Sequence, residues 1–490
     1  MDKQMKISAL LLALAMAAPA PYAHAAIPGI GRVAGDSSCA GTTCAFSLTA
    51  RTGSITLGDG NQLLAWGYGV AASGRMQYPG PTLIVNEGDT VEVTLDNTLR
   101  LPVSIVFPGQ TGVVASGGTP GLLTNEIAAG AGTVTYTFTA SRPGTYLYQS
   151  GTEPDLQIEM GLVGTLIVRP AGFDEGTEES HPNRRAYGSA SSAYDREYLF
   201  FQSEIDRCAH QAEEAIQRAG PTPPDPSTHN PPDVCTAIDP PSFRATLWFL
   251  NGRNGPDTML KSNLAWMPLQ PYNALARMHP GERALMRLVG AGRDLHPFHH
   301  HGNNAWLIAR DGRVLESSPG ASAAYPDFEG TAPELAAKGA TLPDQAISNY
   351  TIQTVPGSTY DAIFTWTGKG LNWDIFNHQG AACPGGAGNE ASRATNEDPA
   401  SHCQPFPVSM PEQQSVTFGG MWSGSQFLEE VLPLPPLQGG LNPGGGYTFM
   451  WHSHTERELT NDDIFPGGMM TMMIVEGPNV PIDADGNIPD

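Results

Sequence analysis

The chain has 490 residues, which is enough for two or three domains of ordinary size. Its formal net charge of −23 argues against a nucleic-acid partner, because the phosphates of a nucleic acid would be repelled. Glycine and proline are abundant, with 56 and 43 residues, and strongly periodic helical patterns are scarce, so the composition favours β-structure.

The first 25 residues have the pattern of a secretory signal peptide. Lys3 and Lys6 precede the apolar run "ISALLLALAMAA", and the small-x-small triplet "AHA" ends at Ala25. The apolar run is too short for a permanent transmembrane helix, and no later segment approaches the length needed. The sequence therefore predicts an exported protein, periplasmic or extracellular, without a transmembrane segment.

Six cysteines follow the predicted signal peptide, and they fall into three local pairs. Because an exported protein folds in an oxidising compartment, three short-range disulfides are expected. Proximity in sequence is the only basis for the pairing Cys39–Cys44, Cys208–Cys235 and Cys383–Cys403.

Short β-rich runs bounded by Gly, Pro, Asn and Asp recur along the chain. Examples are "GDTVEVTLDN", "GTVTYTFTA", "GTLIVRP" and "TMMIVEGP", and the pattern predicts an all-β fold of sandwich or barrel type. One helical candidate stands out, "YDREYLFFQSEIDRCAHQAEEAIQRAG" at residues 194–220, and a Pro-rich stretch follows it. These two segments predict a helical and Pro-rich insertion.

An internal repeat divides the chain. Residues 143–168 are similar to residues 445–475, and "PVSIVFPG" (102–109) corresponds to "LHPFHHHG" (295–302). We therefore predict two related β-domains, at 27–170 and 245–478, separated by the insertion at 171–244 and followed by a tail at 479–490.

The two copies differ at four places, where one copy has histidines. His299, His301, His452 and His454 in the second copy align with Val106, Pro108, Gln149 and Gly151 in the first. Each histidine pair has i, i+2 spacing on a predicted strand, so both members of a pair point to one face, and His300 points to the other. Four converging imidazoles predict a site for copper or zinc.

The motifs "HPFHHHG", "MWHSHTE", "GTYLYQSGT" and "YPGPTLIVNEGDTVEVTLDN" resemble the multicopper oxidase family. The resemblance covers both predicted β-domains. It implies tandem cupredoxin-like domains, copper as the cofactor, a metal ion or small phenol as the electron donor, and oxygen as the acceptor. It also implies that His299, His301, His452 and His454 are cluster ligands and that His296 is a ligand of a mononuclear copper.

This chain departs from the family pattern at several positions. The first copy lacks both expected histidine pairs, and Ser453 stands where the mononuclear site has its cysteine. Glu458 and Asp463 stand where that site has its second histidine and its methionine. Three hypotheses remain open: an oxidoreductase whose half-cluster acts alone or is completed by a second copy or a partner chain, a copper-binding accessory protein without turnover, and a scaffold of the bacterial envelope.

Overall fold

A computed structural model of the protein describes residues 27–33, 35–173, 184–219, 243–326, 340–367, 421–422, 447–476 and 482. The strands are β1 (Ile30–Gly31), β2 (Cys39–Ala40), β3 (Thr43–Thr56), β4 (Gln62–Val70), β5 (Gly80–Asn86), β6 (Thr90–Asn97), β7 (Val114–Gly117), β8 (Thr119–Pro120), β9 (Asn125–Glu126), β10 (Thr133–Thr139), β11 (Gly144–Gln149), β12 (Val163–Arg169), β13 (Arg196–Ile205), β14 (Leu247–Leu250), β15 (Ala276–Met278), β16 (Arg283–Gly290), β17 (His296–His300), β18 (Ala305–Arg310), β19 (Arg313–Val314), β20 (Ser322–Ala324), β21 (Thr341–Pro343), β22 (Ile347–Asn349), β23 (Thr351–Thr354), β24 (Thr359–Thr365), β25 (Met421–Trp422), β26 (Tyr447–Ser453) and β27 (Met470–Val475). The α-helices are α1 (Pro154–Gln157) and α2 (Arg207–Ala219).

The first half of the chain forms a β-sandwich. One sheet has the order β1-β5-β12-β11, and the other has the order β2-β3-β6-β10-β7, with β4 paired to β3. Strand β6 alternates strictly between buried and partly exposed residues, as expected of a strand with one face on the core. The apolar residues of the two inner faces, among them Phe46, Val93, Tyr136 and Leu166, form one buried cluster.

The second half repeats this arrangement. Its sheets have the orders β14-β13-β16-β24-β18-β19 and β15-β27-β26-β17-β23. The parallel pair β13–β16 corresponds to β3–β6 in the first sandwich, and the antiparallel pair β26–β27 corresponds to β11–β12. The all-β fold that the sequence predicts is confirmed, with two β-sandwiches of matching topology.

Part of the predicted helix is a strand. Residues 196–205 form β13, which is buried along its whole length and pairs with β14 and β16, and helix α2 begins only at Arg207. A strand covered on both faces reads as a continuous apolar run, so alternation does not distinguish it from a helix. The second sandwich therefore begins within the segment 171–244 that the sequence predicts to be an insertion.

The two sandwiches pack against each other through apolar and charged contacts. Arg287 is fully buried and donates hydrogen bonds to Glu197 (2.6 Å) and to the hydroxyl of Thr145 (2.9 Å), which in turn donates to Asp361 (2.6 Å). An apolar cluster with members from both sandwiches lies beside them, including Ile84, Leu147, Leu199 and Val289. The interface thus fixes the relative position of the two halves.

The cysteine predictions are tested only in part. Cys39 and Cys44 form a disulfide, as predicted, and Cys208 is also disulfide-bonded. Cys235, Cys383, Cys403 and the predicted signal peptide lie outside the described residues. Neither described helix has the length and apolar character needed to span a membrane.

Candidate metal centre

Two neighbouring strands position the predicted histidines. Strands β17 and β26 are antiparallel neighbours, and their register places His299 directly opposite His452. Along β17 the residues alternate between buried and partly exposed, so His299 lies on the partly exposed face and His296 and His300 on the buried one. His301 and His454 follow the last residues of their strands.

Three of the four predicted cluster ligands converge. His299, His301 and His452 each offer one ring nitrogen, and these three atoms lie within 4.8 Å of one another. The Nε2 atoms of His301 and His452 are 3.3 Å apart, and the His299 and His301 rings are 4.8 Å apart between centroids. Three imidazole nitrogens gathered in this way are a ligand set suited to a single copper or zinc ion.

Hydrogen bonds on the far side of two rings fix their orientation. His299 donates from Nδ1 to the carbonyl of Tyr350 at 2.8 Å, and His452 donates from Nδ1 to the carbonyl of Ser453 at 2.6 Å. In each ring the proton is then on Nδ1, and the Nε2 lone pair is left for the centre. Metal-binding histidines are held in this way, because the second nitrogen sets both the tautomer and the ring direction.

The electrostatics of the site favour neutral imidazoles. Burial and the neighbouring His301 and His452 lower the pKa of His299 to about 4, and burial also lowers the pKa of His452. A histidine must be neutral to bind a metal, so these shifts keep both rings in the ligand form at neutral pH.

His454 and His300 lie beside this group in different ways. The His454 ring is 4.9 Å from that of His299, but about half of its side chain is exposed, and its Nδ1 lies 3.5 Å from a carboxylate oxygen of Glu456. The His300 side chain is buried, and its Nε2 lies 2.9 Å from both the carbonyl oxygen of Asn349 and the amide nitrogen of Ala305. His300 therefore packs on the opposite face of β17, as strand alternation requires.

The structure does not bring His296 to the group. Its ring is fully buried and donates hydrogen bonds from both nitrogens, to Glu204 at 2.8 Å and to Glu458 at 2.9 Å. Burial by itself would lower the pKa of His296, but the two carboxylates raise it to about 10. A protonated imidazole with both nitrogens engaged has no lone pair for a metal.

A mononuclear copper of the family type does not fit this position. Ser453 is buried, and its hydroxyl accepts the amide of Thr455 at 3.2 Å. The cysteines in the described part of the chain, Cys39, Cys44 and Cys208, are all in disulfides, so no thiolate is offered there. The role that the family resemblance implies for His296 is therefore not supported by the geometry, and it stays a prediction.

The first sandwich has the same backbone arrangement without the ligands. Val106 and Gln149 form an antiparallel bridge, which corresponds to the pair His299 and His452. A Cβ atom at Gly151 would lie 2.7 Å from Cγ1 of Val106, so the position equivalent to His454 has no room for a larger side chain. Copper ligation in this sandwich is not supported by its residues.

A cavity of about 340 Å³ opens at the histidine group. It is lined by His299, His300, His301, Gly302, Asn303, Asn304 and Tyr350. The Tyr350 side chain is 65 % exposed, and its ring lies 5.9 Å from that of His299 in an edge-to-face arrangement. Tyr350 is not among the site residues predicted from the sequence, although its place just before the β-rich run "TIQTV" could have suggested a strand end near the site.

Part of the chain is similar to known copper proteins. Residues 72–172, in the first sandwich, match the family described as "Multicopper oxidase". The protein "Laccase 1" of Metarhizium robertsii is 35 % identical over 127 residues, which is 25 % of this chain and 20 % of that protein. The "Copper-containing nitrite reductase" of Alcaligenes xylosoxydans xylosoxydans is 31 % identical over 132 residues, 26 % of this chain and 35 % of that protein.

Solved structures of related type are also similar. The blue copper oxidase from Nitrosomonas europaea aligns with 88 % of this chain and 85 % of its own, at 18 % identity and a TM-score of 0.49. The chain spans about a fifth of the length of the Metarhizium laccase and about a third of that of the nitrite reductase. Residues 72–172 of this chain are thus similar to the multicopper oxidase family.

Proposed function

We propose that the second sandwich binds copper through His299, His301 and His452, with His454 as a further ligand. The observation that carries the proposal is the set of three ring nitrogens within 4.8 Å, two of them on rings fixed by hydrogen bonds from Nδ1. Imidazole nitrogens suit copper, and the related proteins named above include a laccase and a copper-containing nitrite reductase.

The activity that this centre supports best is that of a copper-dependent oxidoreductase. Bound copper would supply one-electron redox chemistry. The protein holds the His299 and His452 rings neutral and oriented, and the cavity leaves one side of the centre open to a reactant. We propose a small phenol or a metal ion as the electron donor and oxygen as the acceptor.

The centre has fewer ligands than a complete multinuclear cluster, and the first sandwich offers Val106 and Gln149 at the equivalent pair. We propose that the half-site acts alone or is completed by a second copy or a partner chain. The predicted signal peptide supports export, to the periplasm or the outside of the cell.

Metal analysis, an EPR spectrum and oxygen uptake on one purified sample test this function. We expect stoichiometric Cu(II) in the wild type, and oxygen consumption with a phenol or Fe²⁺ as donor. The double variant His299→Ala, His452→Ala should lose both while its circular dichroism stays unchanged, because the core is apolar. Copper without oxygen uptake would favour an accessory copper-binding role, and full copper in the double variant would refute the site.

The matched control is His300→Gln. This residue belongs to the same strand and is adjacent to two proposed ligands, but its side chain packs on the opposite face. The control should retain copper. Loss of copper from His300→Gln with a native circular dichroism spectrum would contradict the assignment of faces.

A further inference from the structure

The described residues offer no site for a mononuclear copper at the position that the family resemblance implies. The position implied for a mononuclear copper is occupied by His296 and its two carboxylate partners, Glu204 and Glu458, and all three side chains are buried. No described cysteine is free to supply a thiolate. Within the described part of the chain, the histidine group is therefore the centre to which a donor would deliver its electrons.

In the described part of the chain, a cavity with Tyr350 at its rim opens onto the histidine group. Tyr350 is firmly placed there, because its carbonyl accepts the Nδ1 proton of His299 at 2.8 Å and the amide of His300 at 3.2 Å. Its ring, in contrast, is mostly exposed. The backbone of Tyr350 thus orients the proposed ligand His299, and the Tyr350 side chain is available for another contact.

The chemistry of the lining distinguishes between the two donor classes. A metal ion as donor would be held most strongly by carboxylates beside the centre, because their negative charge attracts a cation. The described lining consists of imidazoles, two carboxamides, one glycine and one phenol ring, with no carboxylate. An exposed aromatic ring beside imidazole edges matches a flat, uncharged ring, which it can contact face to face or edge to face.

We propose that the Tyr350 side chain is a docking platform that holds a neutral, planar aromatic donor against His299, in direct reach of the centre. The inference rests on the proposed function, since the donor needs the centre to accept its electrons. It assigns Tyr350 as a positioning residue and places the donor site in this cavity, not at a separate mononuclear copper.

The test uses 4-fluorophenol as the probe and fluorine NMR as the readout. Titration into the zinc-loaded protein gives a dissociation constant without any turnover, because zinc is redox-inert. Tyr350→Ala should weaken binding by about fivefold, the size of one aromatic contact, and Tyr350→Phe should stay within about twofold of the wild type. In the Cu(II)-loaded protein, the fluorine resonance of the bound probe should broaden.

The tyrosine variants leave the ligand set intact, since the backbone of Tyr350 and not its ring holds His299. Trp266→Ala is the control, because Trp266 is a comparably exposed aromatic outside the cavity lining, and it should not change the dissociation constant. An unchanged constant in Tyr350→Ala, or a resonance that copper does not broaden, would overturn the inference while leaving copper binding in place. Failure to bind either metal would overturn the proposed function instead, and metal analysis separates the two results.

Discussion

Replacement of His296 by glutamine should remove a pH dependence from the stability of the protein. His296 lies between Glu204 and Glu458, and the three side chains are almost completely excluded from solvent. Glutamine can keep a hydrogen bond but not the positive charge. Two buried carboxylates then face each other without a cation, which costs about 3–5 kcal/mol of folding free energy at neutral pH.

The pH dependence of the stability follows from the direction in which folding shifts the pKa of His296. Burial alone would lower the pKa of His296, but Glu204 and Glu458 raise it from 6.5 to about 10. A folded pKa above the unfolded one means that the contribution to stability is complete below pH 6.5 and is lost as the pH rises through 10. Between these limits the folded state holds one extra proton, so the free energy of unfolding should fall by about 1.4 kcal/mol per pH unit.

Urea unfolding of the metal-free protein, followed by circular dichroism at one-unit intervals across this window, measures the slope. His300→Gln is the matched control, because burial lowers the pKa of His300 to about 4 and the ring is neutral throughout the window. We expect the free energy of unfolding to fall with pH in the wild type and in His300→Gln, and to fall much less steeply in His296→Gln. Equal slopes in all three proteins would show that His296 is not protonated in the folded state.

Three further predictions concern the ligands and the cysteines. His454→Ala should weaken copper binding less than His452→Ala, because His454 is half-exposed and outside the group of three converging nitrogens, and competition with a copper chelator would rank the two variants. Ser453→Cys should not create an intense blue absorption band, because both His296 nitrogens are engaged by carboxylates; a blue copper-loaded variant would contradict this. Titration of the denatured, unreduced protein should find no free thiol, since the predicted exported protein folds in an oxidising compartment.

The histidine group could be predicted from the sequence, because strand alternation depends only on neighbouring residues. Strand alternation alone puts His299 and His301 on one face and His300 on the other. The repeat then implies that β17 and β26 are neighbours, and the register joins His299 to His452. Two local patterns and one duplication were therefore enough to propose the cluster.

The environment of His296 could not be predicted in this way. Its partners Glu204 and Glu458 are 92 and 162 residues away in sequence, and only the tertiary fold brings them together. The same holds for β13, where burial on both faces hides the alternation that distinguishes a strand from a helix. Charged partners across sheets and fully buried strands leave no periodic signal in a single sequence.

The first sandwich forms the strand ends that correspond to the histidine group without any histidine. Gly302 and Gly109 both have a positive φ, and a Cβ atom at either would meet the equivalent aromatic ring, Phe449 or Tyr146. The backbone is thus the same at both places, and the first sandwich closes its core there without any imidazole. Three rings whose nitrogens crowd within 4.8 Å, with desolvation penalties that lower the pKa of at least two, do not stabilise such a fold. Because the scaffold does not need these histidines, their convergence in the second sandwich supports the proposed metal site.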